Sequence, residues 1–227
     1  GCHFPAGMTR AVVFDLDGTL IDSLPDVANA ANALLADRGL PPLPHSEIAG
    51  FVGLGERVFL DRLIAASDLD MAEYDTLLDR FIVHYKASTS ETQLFPGVTD
   101  ALAALRAERC AIGLCTNKPA GPLAAVLDAL DIKHLFDAVI AGDTLAVRKP
   151  DPAPLHHVLG ALGATYAVYV GDSPVDAETA QRANVPFCLF TEGIRTVPVE
   201  QIPNDAAFDD FSKLPTLVNG MWRPYSS

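Results

Sequence analysis

A chain of 227 residues, 49% of them hydrophobic, can bury one substantial core and a smaller second one, which excludes a disordered or fibrous protein. Its formal net charge of -13 argues against nucleic acid or an anionic membrane as the main partner, since both demand clustered Lys and Arg, so any anionic substrate must be met by a local cation. No run approaches the roughly 18 to 20 apolar residues of a membrane span, and the four cysteines form no CxxC pair, so they read as free thiols, buried where they sit in apolar runs, in a reducing cytoplasm.

Residues 1–7, ahead of Met8, read as a remnant foreign to the fold. Val12-Val13-Phe14 is a short apolar, β-branched run that ends in Asp15, Asp17 and Gly18, which predicts a buried strand delivering two carboxylates to a loop. Open α/β sheets bind their ligands at that end. Ser23 is placed to cap a helix and Pro25 to open it, with Leu24, Val27, Ala28, Ala31, Leu34 and Leu35 at helical spacing before Gly39 and Pro41-Pro42. Further helices are predicted near His45-Ser46, over Val58 to Ile64 behind the glycine-rich loop 50–56, and from Met71 to Lys86. Nothing between Asp22 and Thr92 reads as a strand, and about seventy helical residues are too many for an ordinary crossover.

From Phe95 onward strand and helix alternate. Helices are predicted at Val98 to Arg109, Gly121 to Leu130, Pro152 to Leu162 and Pro174 to Ala183. The strands between and after them fall at Ala111 to Thr116, Ala138 to Ala141, Ala167 to Gly171 and Phe187 to Phe190. The pattern predicts an α/β fold: a doubly wound, Rossmann-like parallel sheet from residues 8–21 and 95–227, interrupted by an all-helical cap domain over 22–94. The tail after Asp209 is ambiguous.

Several predicted strands end in polar residues that a core would not need: Asp15 and Asp17, then Thr116-Asn117-Lys118, then Gly171-Asp172-Ser173-Pro174-Val175-Asp176. Lys149 lies in the loop before the helix preceding the last of these. In a doubly wound sheet all converge at one edge. Two carboxylates about 4 Å apart repel by roughly 4 kcal/mol at an effective dielectric near 20, so Asp15, Asp17, Asp172 and Asp176 need compensation. A hard dication with oxygen ligands supplies it, and carboxylates without histidine suit Mg2+ better than Zn2+. Lys149 brings a second positive charge.

DLDGT, TN, KPxP and GDSxxD, in that order, resemble the four motifs of the haloacid dehalogenase-like phosphatases over Val12 to about Phe190, and the insertion resembles their helical-cap class. DGTLIDS followed by a helical cap and LFPGV is most similar to the phosphoglycolate phosphatase group. The resemblance implies that Asp15 attacks phosphorus to form an aspartyl-phosphate, and that Asp17 serves as general acid and then base. It implies phosphoryl binding by Thr116, Asn117 and Lys149. It also implies Mg2+ held by Asp15, the Asp17 carbonyl and Asp172, with Asp176 either a ligand or a support for one. The expected substrate is a small soluble phosphate ester, 2-phosphoglycolate first, with neither nucleic acid nor membrane as partner. Asn184 stands where the family commonly has glycine, although Asn tolerates the same left-handed backbone. Arg57 reads either as an exposed first-turn arginine or as a fork onto a substrate carboxylate. A phosphosugar mutase and a phospho-accepting signalling domain are the alternative functions, and monomer and homodimer both stay open.

Overall fold

The computed structural model describes residues 7–227, so the leading remnant, apart from Gly7, and Cys2 lie outside the described residues. Strand β1 (Arg10–Phe14) is followed by a two-residue strand β2 (Ile21–Asp22) and then by four helices: α1 (Leu24–Asp37), α2 (His45–Ile48), α3 (Glu56–Ala65) and α4 (Tyr74–Ala87). A second two-residue strand, β3 (Gln93–Leu94), returns the chain to the core. Next come α5 (Val98–Ala107), β4 (Ala111–Cys115), α6 (Ala120–Ala129), β5 (Ala138–Ile140), α7 (Ala153–Ala161), β6 (Tyr166–Gly171), α8 (Pro174–Ala183) and β7 (Phe187–Phe190). The tail forms β8 (Ala206–Phe208), α9 (Leu214–Asn219) and β9 (Arg223–Pro224).

The sheet runs β5-β4-β1-β6-β7-β8 with every pairing parallel, and β9 adds a short antiparallel contact on β6. Strand β1 sits where the order reverses, between β4 and β6, which is the place at which a doubly wound sheet opens a crevice beyond its strand ends. Alternation along the strands sorts the two faces. Val12, Phe14, Ile112, Leu114, Val168 and Val170 pack against α5, α6 and α9, whereas Ala11, Val13, Cys115, Ala167 and Tyr169 pack against α7 and α8. Each face is thereby covered by helices, as the continuous apolar runs of the strands require.

The inserted helices have a core of their own. Val27, Ala31, Leu34 and Leu35 of α1 meet Phe59, Leu60 and Leu63 of α3 and Leu77, Leu78 and Phe81 of α4. Phe59 stacks on Phe81 with ring centroids 5.0 Å apart, and Phe81 on Tyr85 at 5.9 Å. The strands framing this insertion, β2 and β3, pair antiparallel with each other, Ile21 opposite Leu94. Two-residue strands carry no periodicity, which is why the sequence reading found none there.

Other departures are local. Ser23 makes no side-chain cap bond, and the Leu24 N–H donates to Asp22 Oδ1 at 3.4 Å instead. The helix expected from Met71 opens as a single 3-10 turn before α4, capped by Asp70. Asn184 closes α8 in the left-handed conformation with φ 57°.

Candidate active site

The C-terminal ends of β1, β4 and β6 deliver Asp15, Thr116 and Asp172 to one place. Asp15 directly follows β1, and its N–H still donates to the Val170 carbonyl at 2.9 Å, so the carboxylate is held at sheet precision. Gly18, with φ 84°, turns the chain at once; a Cβ there would overlap Asp172 Oδ2. Asp172 accepts from Thr19 Oγ1 at 3.1 Å and from the Ile194 N–H at 2.9 Å, and a Cβ on Gly193 would strike it from the other side.

Lys149 is the hub. Its buried Nζ donates to Asp15 Oδ1 at 3.0 Å, to Asp176 Oδ1 at 2.9 Å and to the Tyr169 hydroxyl at 2.9 Å, which uses all three of its N–H groups. Asp176 in turn receives the Tyr169 hydroxyl at 2.8 Å on Oδ1, and the Asp172 N–H and Ser173 hydroxyl, both at 3.1 Å, on Oδ2. Both of its oxygens are thus occupied by protein donors. Tyr169 was missed in the sequence; a hydroxyl on an inward position of an otherwise aliphatic strand was the available signal.

One lysine does not balance three buried carboxylates. Burial and the Asp176 charge push Asp15 up to about 8 against the pull of Lys149, and burial with Asp15 and Asp176 raises Asp172 well above the carboxylate range. Burial also works against Asp176, but the charge and hydrogen bond of Lys149 prevail and hold it below its usual value. One oxygen each of Asp15, Asp172 and Asp176 lie within 4.8 Å of one another. An all-oxygen donor set that lacks positive charge fits a hard divalent cation.

Asp17 is held elsewhere. Lys118 Nζ donates to its Oδ1 at 3.0 Å and Oδ2 at 3.2 Å, and also contacts the hydroxyl of Tyr85 on α4. Burial opposes the Lys118 charge, but Asp17 and Tyr85 keep the ammonium protonated above its ordinary range. Thr116 is buried, and its Oγ1 accepts the Lys118 N–H at 3.0 Å, leaving the hydroxyl hydrogen for a ligand.

Asn117 differs from expectation. Its side chain accepts the Lys149 N–H at 2.9 Å and donates to the carbonyls of Lys149 and Gly53, both at 3.0 Å, so it ties the lysine loop to the cap rather than presenting its amide to a ligand. Arg57 differs too. It is exposed and takes no part in lining the cleft, and its carbonyl accepts from the Tyr74 hydroxyl at 3.1 Å. Neighbouring positions on a helix point about 100° apart, so Glu56 can line the cleft while Arg57 does not.

The cleft itself lies between strand ends and cap. Asp15, Asp17, Thr116, Asn117 and Lys118 form its floor, and Val52, Gly53, Gly55, Glu56, Phe59, Phe81 and Tyr85 its roof. Of the expected metal and phosphoryl residues, Asp15, Asp17, Thr116 and Asn117 line the cleft, Lys149, Asp172 and Asp176 are buried next to Asp15 without lining it, and Arg57 stays outside. Lys118 and Tyr85 were overlooked as site residues: the first because it stood beside a motif, the second because it belongs to a different lobe.

Known proteins resemble this chain in sequence and fold. A model of the haloacid dehalogenase-like hydrolases matches residues 12–190. A phosphoglycolate phosphatase of Cereibacter sphaeroides is 46% identical over 210 residues, 91% of this chain and 96% of that protein. One of Rhodospirillum rubrum is 41% identical over 216 residues, covering 91% and 90%. The crystal structure of a predicted phosphoglycolate phosphatase from Haemophilus somnus 129PT superposes with a TM-score of 0.86 at 30% identity, over 94% of this chain and 99% of that one. With four motifs assembled around one cleft and relatives alike along nearly their whole length, the chain belongs to the haloacid dehalogenase-like hydrolase family.

Proposed function

We propose that the chain is a Mg2+-dependent phosphatase that converts 2-phosphoglycolate to glycolate and phosphate through an aspartyl-phosphate on Asp15. The observation that carries this reading is that Asp15 and Asp17 line one cleft but are held by different lysines, Asp15 by Lys149 and Asp17 by Lys118. Two carboxylates in two environments can take two roles. The substrate choice is supported by relatives named phosphoglycolate phosphatase at 46% and 39% identity.

An Asp15 oxygen attacks the phosphorus while the bond to the ester oxygen breaks, and Asp17 gives that oxygen its proton. Water then attacks the phosphorus of the acyl phosphate, Asp17 takes a proton from it, and the bond to Asp15 breaks to release phosphate. Thr116 donates its hydroxyl to a phosphoryl oxygen, and Lys149, hydrogen-bonded to Asp15, orients that carboxylate. Asp15, Asp172 and the Asp17 carbonyl would hold Mg2+, which when bound neutralises the phosphoryl oxygens that would repel an approaching carboxylate. Asp176, with both oxygens occupied, acts by fixing Lys149. The Phe59 and Phe81 rings of the cap give the cleft an apolar wall. Buried free Cys110, Cys115 and Cys188 are in keeping with a cytoplasmic enzyme, and no helix among the described residues is long and apolar enough to cross a membrane.

The test is phosphate release from 2-phosphoglycolate, glucose phosphates, nucleotides and pyrophosphate, with and without Mg2+, beside Asp15→Asn. Selective, Mg2+-dependent release from 2-phosphoglycolate that drops more than about 1,000-fold in the variant is the expected result. Release spread evenly over the panel would remove the substrate. A phosphorylated protein persisting for minutes without turnover would replace the reading with a signalling domain.

A further inference from the structure

Among the described residues, one basic side chain lines the cleft, Lys118, against three carboxylates, Asp15, Asp17 and Glu56. Lys149 is buried behind Asp15, with its three N–H groups spent on protein acceptors. Lys118 is different. It places two donors on a single carboxylate, that of Asp17, and its ammonium lies 4.8 Å from the centre of the Tyr85 ring as well as against that hydroxyl. One of the two Asp17 contacts can turn to an incoming oxygen while the other keeps Asp17 compensated.

We infer that Lys118, with the Tyr85 hydroxyl, is the receptor for a carboxylate on the leaving group, so that the cleft selects esters in which that carboxylate lies one carbon from the bridging oxygen. The inference rests on the phosphatase reading and specifies how its substrate is read. To protonate the leaving group, Asp17 must touch the bridging oxygen. Lys118 Nζ lies 3.0 Å from Asp17, so it stands beside whatever is attached to the next carbon. A carboxylate there meets an ammonium and a hydroxyl. Elsewhere in the cap half of the cleft the side chains it would meet are those of Glu56, Val52, Phe59 and Phe81, beside which a buried anion would go unpaired, and only the glycine-loop backbone at Gly53 and Gly55 is polar without negative charge. The stacked Phe59 and Phe81 rings also bound the cleft on this side, so a longer leaving group would carry its carboxylate past Lys118 and into them. Two other cations stand near the glycine loop outside the cleft lining: Arg57, which is exposed, and Arg148, also exposed, whose Nη1 lies where a Cβ on Gly55 would sit.

The deciding measurement is kcat/KM for 2-phosphoglycolate and for ethyl phosphate, which replaces the carboxylate by methyl, in wild type, Lys118→Met and Tyr85→Phe with saturating Mg2+. Wild type should prefer 2-phosphoglycolate, and Lys118→Met should cut that preference about 100-fold, whatever loss the two esters share through Asp17. Tyr85→Phe should lower it about 5-fold, through KM for 2-phosphoglycolate. Equal losses on both esters would overturn the inference and leave Lys118 as a positioning residue for Asp17. If Lys118→Met does not fold, an unchanged preference in Tyr85→Phe overturns it instead. A wild type indifferent to the carboxylate would sink the substrate reading itself, and that outcome is seen before any variant is compared.

Discussion

Asp176 shows how much of this site is spent on holding one lysine. Lys149 reaches Asp15 at 3.0 Å only because Asp176 and Tyr169 grip the same ammonium from behind, each at 2.9 Å. Removing one member of a buried charge cluster strands the others, at a cost of about 3 kcal/mol or more. Asp176→Asn would also turn an amide N–H toward one of four donors that now find an acceptor. Chemical denaturation should therefore register a loss of roughly 3 kcal/mol, and steady-state assays a kcat lower by about 10- to 100-fold with KM little changed. A variant with native kcat would show that Lys149 needs no support from Asp176.

At the level of elements, the connection between the lobes is a two-stranded crossing with a clasp. Strands β2 and β3 pair, the Phe95 N–H donates to the Leu20 carbonyl at 2.9 Å, and Asp26 in the first turn of α1 reaches over to the returning chain. Its carboxylate accepts the Glu91 N–H at 3.1 Å, the Thr92 N–H at 2.8 Å and the Thr92 hydroxyl. Asp26 is itself buried, although Glu91 is exposed, so water can replace only part of this set. Asp26→Ala should cost about 2 kcal/mol in urea denaturation and raise KM more than it lowers kcat, because cap orientation is disturbed while the strand ends are not. Loss of kcat alone, with stability intact, would contradict a clasp.

For the whole molecule, charge and metal are linked through stability. Burial keeps a proton on Asp15 up to about 8, against the ordinary carboxylate value of 3.8. Between these limits the unfolded chain has released that proton and the metal-free folded chain retains it, so stability falls as pH rises through the window. Asp172 acts in the same direction. Asp176, held below its ordinary value, acts oppositely, contributing stability that is lost as pH falls through its lowered pKa. With two raised groups against one lowered, the chelated protein should lose melting temperature from about pH 5 to pH 8. Mg2+ at about 100 times its Kd should restore about 2.7 kcal/mol at the upper end. Thermal melts in chelator and in Mg2+ across that range decide it, and coincident curves would mean that the carboxylate cluster holds no divalent cation.

The core was legible because its signals are local. Strands β1, β4, β6 and β7 each announce themselves by an apolar run that stops at a polar residue or a turn, and α8 and β7 lie where the sequence placed them. Most short pieces were not legible: β5, with three residues, showed itself by its place in the strand–helix alternation, whereas β2, β3, β8 and β9, of two or three residues, lie outside that alternation and form because a neighbouring strand offers them hydrogen bonds. The candidate site divides in the same way. Asp15, Thr116 and Asp172 were recognisable by position at strand ends and Lys149 by its loop motif, whereas the partner of each was not, since Lys149 and Asp15 are 134 positions apart and Lys118 and Asp17 are 101. Residue types at strand ends and their order along the chain were thus determined by the sequence alone, through side-chain alternation and backbone turning, which depend on neighbours within a few residues. Which lysine compensates which aspartate, the absence of Arg57 from the cleft lining and the arrival of Tyr85 from the cap were decided only by the tertiary structure, because charge pairing in a buried cleft depends on distances that separate lobes acquire only when they pack.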